Sequence, residues 1–253
     1  MFLAIDIGNT TVSIGYFQNH VLQGSFHVST ADSVADHQAA DNVHRALEQR
    51  LGKDFEIDGA GISSVVPALT EQYLAMARDR FGVQPRLLTC DQPLSFQVLY
   101  DDPRQLGSDR LANVIAARKL YGYPLLVIDL GTATKYDVID NNGDYVGGLI
   151  APGIWISASA LFDGGARLFP VKLERPQRLI GKNTEQALKS GIYNGFLGQI
   201  INMKSRLGRE LGYEPLKVVA TGGYAELFRE ESGLFDMVDL GLTLKGVEIA
   251  LNP

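Results

Sequence analysis

Two short turns carry the residue types that handle phosphate. Asp6-Ile7-Gly8-Asn9-Thr10-Thr11 and Asp129-Leu130-Gly131-Thr132-Ala133-Thr134 each put a carboxylate at the end of an aliphatic run, followed by a glycine and threonine hydroxyls. Glycine lets backbone approach a ligand closely. Threonine adds a hydroxyl donor. A carboxylate suits Mg²⁺, which keeps water in its remaining coordination positions. The set fits phosphate groups held directly or through a metal ion. One such turn reads equally well as a plain hairpin closure; two at a fixed spacing argue for a shared chemical task. A third element, Thr221-Gly222-Gly223, follows an aliphatic run and precedes a helical stretch, Tyr224–Phe228. Its glycine pair admits a flat ring against the backbone, and plain helix entry is the competing reading.

The elements that hold these turns come from an internal repeat. The spacing from Asp6 to Asp129 also separates Gly8 from Gly131, Thr11 from Thr134, Asn19 from Asn142 and Gly24 from Gly147, with no gap. Each copy reads as three strands: an aliphatic run ending at the Asp, a second strand (Val12–Phe17 or Lys135–Ile139), a polar turn, and a third strand toward Gly24 or Gly147. Beyond the repeat, helices are expected over 36–51, 69–81, 109–121 and 184–211, and strands over 59–66, 86–89 and 216–220. Strands alternating with helices predict an α/β chain with a buried mixed sheet in each half. Gly122-Tyr123-Pro124 marks the expected boundary, giving lobes 1–121 and 122–253.

The three phosphate and ring elements, in this order, resemble the actin/hexokinase/Hsp70 superfamily of phosphotransferases. That resemblance implies two duplicated ribonuclease-H-like lobes, each a mixed five-stranded sheet with flanking helices. A closer resemblance rests on Gly107-Ser108-Asp109-Arg110-Leu111-Ala112-Asn113, on Gly147-Gly148-Leu149-Ile150-Ala151-Pro152-Gly153, on Ile180-Gly181-Lys182-Asn183-Thr184 and on the Asp-Ile-Gly-Asn-Thr start. These are similar to the type III pantothenate kinases, and the similarity spans the chain. There is no Walker P-loop: Gly181-Lys182 is followed by Asn183, and Pro176 stands where its leading glycine is needed.

The resemblance implies transfer of the γ-phosphoryl of ATP to pantothenate, giving 4′-phosphopantothenate. It assigns ATP to Asp6, Ile7, Gly8, Asn9, Thr10, Thr11, Val12, Ser13 and Thr132, with Gly222 and Gly223 on the adenosine side. It assigns pantothenate to Tyr100, Gly107, Ser108, Asp109, Arg110 and Thr184. Asp109 is the implied base, and Thr184 is implied to reach the substrate of a neighbouring subunit in a homodimer. Asp6 is implied to hold Mg²⁺ or another divalent ion through water, and Asp129 a monovalent K⁺ or NH₄⁺. Two other readings stand beside this one. The chain fits another small-molecule kinase or phosphatase of the superfamily, and it fits a non-catalytic regulatory relative.

Several of these residues have simpler roles open to them. Ser108 or Asp109 also fits a helix cap, and Asn183-Thr184-Glu185-Gln186 reads as a capping box. His37, Asp41 and His44 share a helical face, read here as its solvated side rather than a metal site. Trp155 reads as a packing residue, and Cys90 needs no function. Lys135 is a departure, since the family commonly has a small residue there. Strand alternation sets it away from Thr132 and Thr134 and toward Asp137, which predicts a solvent-side ion pair. The competing reading is an ammonium that replaces the monovalent cation. The formal net charge of −6, without a basic cluster, argues against nucleic acid as a partner. Asp6 interrupts the opening apolar run too early for a secretion signal, and Leu149–Phe162 is too short and too interrupted to span a membrane. The expectation is a cytoplasmic protein.

Overall fold

The computed structural model describes residues 1–35 and 39–252. It divides into two units, Met1–Leu120 with Gly241–Pro253, and Tyr121–Leu240. Each is built on a five-stranded mixed sheet. The sequence division places 241–253 in the second lobe; the structure assigns them to the first unit.

In the first unit β1 (Phe2–Ile7) pairs antiparallel with β2 (Thr11–Gln18), and β2 with β3 (Val21–Ser29). On its other side β1 runs parallel to β4 (Gly59–Ser64), which meets the short β5 (Arg86–Leu87). A short helix α1 (Thr30–Ala35) follows β3. The sheet's Leu3, Ile5, Ile7, Ile14 and Ile62 pack with Val43 and Leu47 of α2 (Ala39–Leu51) and Leu69, Tyr73 and Met76 of α3 (Pro67–Phe81). Pro67 opens α3 and Gly82, at φ 67, closes it. The active-site candidate Asp109 lies on α4 (Ser108–Tyr121).

The opposite face of that sheet explains the C-terminal segment. Ala4 stands between Gly15 on β2 and Gly61 on β4, a row of small residues across three strands. The last helix, α7 (Leu242–Leu251), lies against it. A Cβ on Gly61 would come within 2.9 Å of Leu251 Cδ1, and one on Gly15 within 3.0 Å of Leu244 Cδ1. Gly246 of α7 in turn abuts the Ala112 carbonyl of α4, and Thr243 donates to Asn113 Oδ1 at 2.8 Å. So α7 fixes α4, the helix that carries Asp109.

In the second unit β6 (Leu125–Leu130) pairs antiparallel with β7 (Ala133–Ile139), and β7 with β8 (Tyr145–Pro152). Beside β6 run β9 (Val218–Thr221) and then β10 (Met237–Val238), both parallel. Helices α5 (Ile154–Gly164) and α6 (Thr184–Leu211) contribute Ile154, Phe162, Leu188, Ile192 and Ile200 to one core with Leu126, Ile128, Tyr136 and Val138. The stretch Tyr224–Phe228, expected as a helix, forms a short 3-10 turn over Ala225–Phe228. No helix among the described residues is long and apolar enough to cross a membrane.

The gapless repeat conceals two length changes that cancel. Four residues, Gly8 to Thr11, separate the paired Ile7 and Val12. Only three, Gly131 to Ala133, separate the paired Leu130 and Thr134. The next turn restores the count. Asn19 and His20, both at positive φ, make a two-residue hairpin turn between Gln18 and Val21. Its counterpart runs through Asn141, Asn142 and Gly143, is one residue longer, and is held by Asp140 Oδ1 accepting from the Asn142 and Asp144 amides, each at 2.9 Å. Between the two turns β7 is shifted by one residue against the sequence offset. Its bulge at Val138/Ile139 therefore matches the β2 bulge at Tyr16/Phe17, and Lys135 takes the place of Ser13.

Candidate active site

In the first unit the β1–β2 turn is stitched by backbone and by α1. The Gly8 amide donates to the Thr11 carbonyl at 3.0 Å, and Thr30 Oγ1 donates to the Gly8 carbonyl at 2.7 Å. This leaves Asn9, Thr10 and Thr11 exposed. Ile7 and Val12 are buried and face each other as a strand pair. Their side chains hold the turn from beneath; only their backbone is at the turn. Ser13 lies across from Asp6 and hydrogen-bonds His27 Nδ1 at 3.0 Å.

Asp6 is joined to the substrate candidates by residues that the sequence reading did not single out. Ser63, buried at the end of β4 beside Asp6, donates its hydroxyl to Asp6 Oδ1 at 2.8 Å and lies 3.0 Å from Ser108 Oγ. Ser108 Oγ accepts from the Ser64 amide at 2.9 Å and donates to the Ser64 carbonyl at 3.0 Å. The signal available was two consecutive serines closing an otherwise small and apolar strand.

The start of α4 carries its charged groups in fixed positions. Asp109 Oδ1 accepts from the Arg110 amide at 2.8 Å, so the carboxylate satisfies a donor of the first helical turn and lies at the positive end of the helix dipole. The cap expected of Ser108 or Asp109 is taken by neither: both lie inside the helix, the Gly107 carbonyl accepts from the Leu111 amide, and the Ser108 hydroxyl serves the Ser64 backbone. A Cβ on Gly107 would stand 2.6 Å from Asp109 Oδ1, so this position needs glycine to leave the carboxylate where it is. Arg110 is 5% exposed, and its Nη1 donates to the Tyr100 hydroxyl at 2.9 Å, which brings together two of the predicted substrate residues. A buried, always-charged guanidinium held on one side by a phenol is suited to gripping a carboxylate.

In the second unit Asp129 is enclosed. On β9 its parallel neighbour is Thr221, and on β7 its antiparallel partner is Lys135. Lys135 Nζ donates to Asp129 Oδ2 at 3.0 Å; the two side chains are 19% and 12% exposed. The solvent-side position expected of Lys135 is therefore corrected, and Asp129 is a partner that strand alternation did not point to. Asp137 shares the strand face but is buried, and its Oδ1 accepts from the Tyr145 hydroxyl at 3.1 Å. The face attributed to the threonines is the core: Thr134 and Tyr136 are buried there. Burial without a hydrogen-bond partner pushes the Tyr136 phenol up to about 12.

Gly222 backs the same carboxylate. Its φ is +89, and a Cβ there would meet Asp129 Oδ1 at 2.5 Å and Leu130 backbone at 2.6 Å. Gly223 is exposed with open space where a side chain would go. Thr132 is exposed at the turn, and Gly153 presses on its carbonyl.

Thr184 stands exposed at the first position of α6. The cap is Asn183, whose side chain accepts from the Gln186 amide at 2.9 Å, while Gln186 Oε1 accepts from the Lys182 amide at 3.0 Å. Helix end and capping box are thus satisfied without the Thr184 hydroxyl. Trp155, expected to pack, is 48% exposed on α5. Among the described residues there is no cluster of three or more His, Cys, Asp or Glu able to hold a metal; His37, of the solvated face noted above, lies outside the described residues.

Comparison with known proteins fits this arrangement. The structure is similar to a conserved Baf family transcriptional activator from Campylobacter jejuni, with TM-score 0.58 and 22% identity over 97% of this chain and 95% of that one. It is also similar to the activator of the 2-hydroxyisocaproyl-CoA dehydratase from Clostridium difficile with bound ADPNP, with TM-score 0.51 and 13% identity over 98% and 92%. The fold is that of the actin/hexokinase/Hsp70-like kinases and ATPases. Two sequences named type III pantothenate kinase, from Roseiflexus sp. (strain RS-1) and Moorella thermoacetica, are each 41% identical over 98% of this chain, covering 97% and 98% of their own lengths. The family model for type III pantothenate kinase matches residues 2–206. The chain belongs to the type III pantothenate kinase family.

Proposed function

We infer that this protein phosphorylates pantothenate with ATP to give 4′-phosphopantothenate, the first step of coenzyme A biosynthesis, and that it does so in the cytoplasm. The observation that carries the site assignment is the tie between Asp6 and the start of α4 through Ser63 and Ser108. It links a phosphate-type turn to a carboxylate and a guanidinium in one unit.

In this reading Arg110, steadied by Tyr100, grips the pantothenate carboxylate. Asp109 accepts the proton of the primary hydroxyl as it attacks the γ-phosphorus. A loose phosphoryl-transfer transition state asks little basicity of that group, so an ordinary carboxylate suffices once it is positioned. Gly107 and the Arg110 amide supply the positioning. In the first unit the exposed Asn9, Thr10 and Thr11 and the turn amides are the candidate contacts for ATP phosphates; in the second unit Thr132 is the candidate phosphate contact and Gly222-Gly223 the candidate adenosine contact.

A kinase of this superfamily uses a divalent cation with ATP. Asp6 fits one held through water: it is half-buried, accepts from the Ser63 hydroxyl, and among the described residues stands in no cluster that would ligate a bare ion. When bound, that ion neutralises phosphate charge. The monovalent K⁺ or NH₄⁺ implied at Asp129 does not fit the residues present. The Lys135 ammonium stands at one carboxylate oxygen and Gly222 at the other. No step is assigned to such an ion.

A homodimer completes the reading, with Thr184 of each subunit reaching pantothenate in its partner. The exposed Trp155, Ile156 and Leu161 of α5 and the capped, outward-facing start of α6 support it. Pantothenate-dependent release of ADP from the purified protein tests the activity. ADP release that ignores pantothenate would point to the other kinase or phosphatase reading.

A further inference from the structure

We propose that the Lys135 ammonium is a built-in cation of the second phosphate turn, so that phosphoryl transfer by this chain needs no added monovalent cation. The proposal rests on the pantothenate kinase reading of the site.

Register makes the pair. Asp129 and Lys135 are direct partners on adjacent antiparallel strands, the arrangement that brings Cβ atoms close enough for opposite charges to meet. The bond is 3.0 Å, and both side chains are largely shielded from water, where a charge pair is little screened by salt. The lysine is not a passing surface contact. The three-residue turn Gly131 to Ala133 shifts β7 by one residue, and in a strand one residue decides the face. With the four-residue turn of the first copy, position 135 would face the core, where Thr134 and Tyr136 now lie. The shortened turn and the lysine act together.

The surroundings leave the carboxylate to that ammonium. Gly222, at positive φ, backs Oδ1 so closely that even a Cβ would collide with it. The other carboxylate on the same strand face, Asp137, accepts from Tyr145. A free metal ion at Oδ2 would have to displace Lys135 or sit beside it, cation against cation. A tethered ammonium supplies the same unit charge, never dissociates, and has its position fixed by the strand. It offsets the Asp129 charge beside a turn that must receive anionic phosphates.

The experiment compares wild type, Lys135→Thr and the neutral near-isostere Lys135→Met, with tetramethylammonium or K⁺ as the sole monovalent cation at equal ionic strength. Wild type is expected to keep its rate within about twofold between the two salts. Lys135→Thr should fall at least about tenfold in tetramethylammonium and recover saturably with K⁺ or NH₄⁺, which enter the vacated place. Thermal unfolding gives a second readout: K⁺ should raise the melting temperature of Lys135→Thr above its value in tetramethylammonium, and leave that of wild type unchanged. Lys135→Met serves the same comparison should the threonine variant fold poorly. Wild type that turns over only when K⁺ is present would overturn the proposal, and so would a Lys135→Thr variant indifferent to the salt in both readouts. Wild type inactive in every salt would remove the kinase reading instead, and the melting comparison would still decide the role of Lys135.

Discussion

The Asp6 and Asp129 turns repeat one pattern and surround their carboxylates differently. Asp6 accepts from the Ser63 hydroxyl on the parallel side and has Ser13 as its register partner across the hairpin. Asp129 meets Thr221 on the parallel side and an ammonium across the hairpin. In the proposed reading the first carboxylate's charge serves an ion brought with the nucleotide. The second has that charge offset within the protein. The first is also linked through Ser63 to the helix that carries Asp109, so the two turns take different work in this proposal, one beside the proton acceptor and the other beside a resident cation.

The sharpest way to break this contrast is at Asp109. Asp109→Asn removes the proton acceptor while keeping an oxygen for the Arg110 amide, so the fold should survive. The kcat should fall at least about 10², a barrier increase of roughly 3 kcal/mol. A variant within threefold of wild type would mean that the first unit does not supply the base. Next in size is the division of labour between subunits. Asp109→Asn and Thr184→Arg should each be nearly inactive alone. Mixed after demonstrated subunit exchange, they should recover a fraction of wild-type rate, because one composite site of a hybrid dimer keeps both groups. No recovery would confine the site to one chain.

The two carboxylates should also fail differently. Asp6→Asn still accepts from Ser63, so its stability cost should stay under about 1 kcal/mol while the divalent-ion requirement rises. Asp129→Asn removes the carboxylate charge 3.0 Å from the Lys135 ammonium. Its cost should be roughly 1–3 kcal/mol, between the exposed and buried limits for ion pairs, or several degrees in melting temperature. Equal thermal losses in the two variants would erase the distinction.

How far this was legible in the chain follows from what each signal can carry. Aliphatic runs ending in Asp-x-Gly gave the two hairpins, and Pro67 and Gly82 bound α3 as such residues do. The helix α7 went unread because Gly246 and Gly241 look like breakers, when Gly246 is there for the close approach to Ala112. Its place in the first unit is a long-range packing fact, set by Ala4, Gly15 and Gly61, that no local pattern contains. Within the site, Asp129 and Gly222 were each legible in a separate motif, and Tyr100 beside Arg110 through the family resemblance; that Gly222 backs Asp129 was not. Lys135 was misplaced for a specific reason. Alternation along β7 correctly separates it from Thr134, but two cancelling turn lengths hide which residue stands across from it. Ser63 carried no motif, and its role depends on lying beside Asp6 in a parallel pair.

The smallest expected effect tests the shifted register away from the active site. In the aligned strands Tyr136, paired with Ile128, takes the place of Ile14, paired with Ile5. Both are buried, but Tyr136 brings a hydroxyl that has no partner among the described residues. Tyr136→Phe should therefore change stability by less than about 1 kcal/mol at neutral pH, since it removes an unsatisfied polar atom and leaves the ring in place. At high pH the two proteins should part. The folded-state phenol titrates at about 12, above its usual 10.0, so it contributes stability that is whole below 10.0 and is lost as the pH rises through 12. Two pH units correspond to roughly 3 kcal/mol of alkaline stability loss in the wild type that the phenylalanine variant lacks. Urea unfolding midpoints measured at neutral pH and across that alkaline window would show it. Midpoints that fall in parallel would place the Tyr136 hydroxyl in contact with water and the β7 register elsewhere.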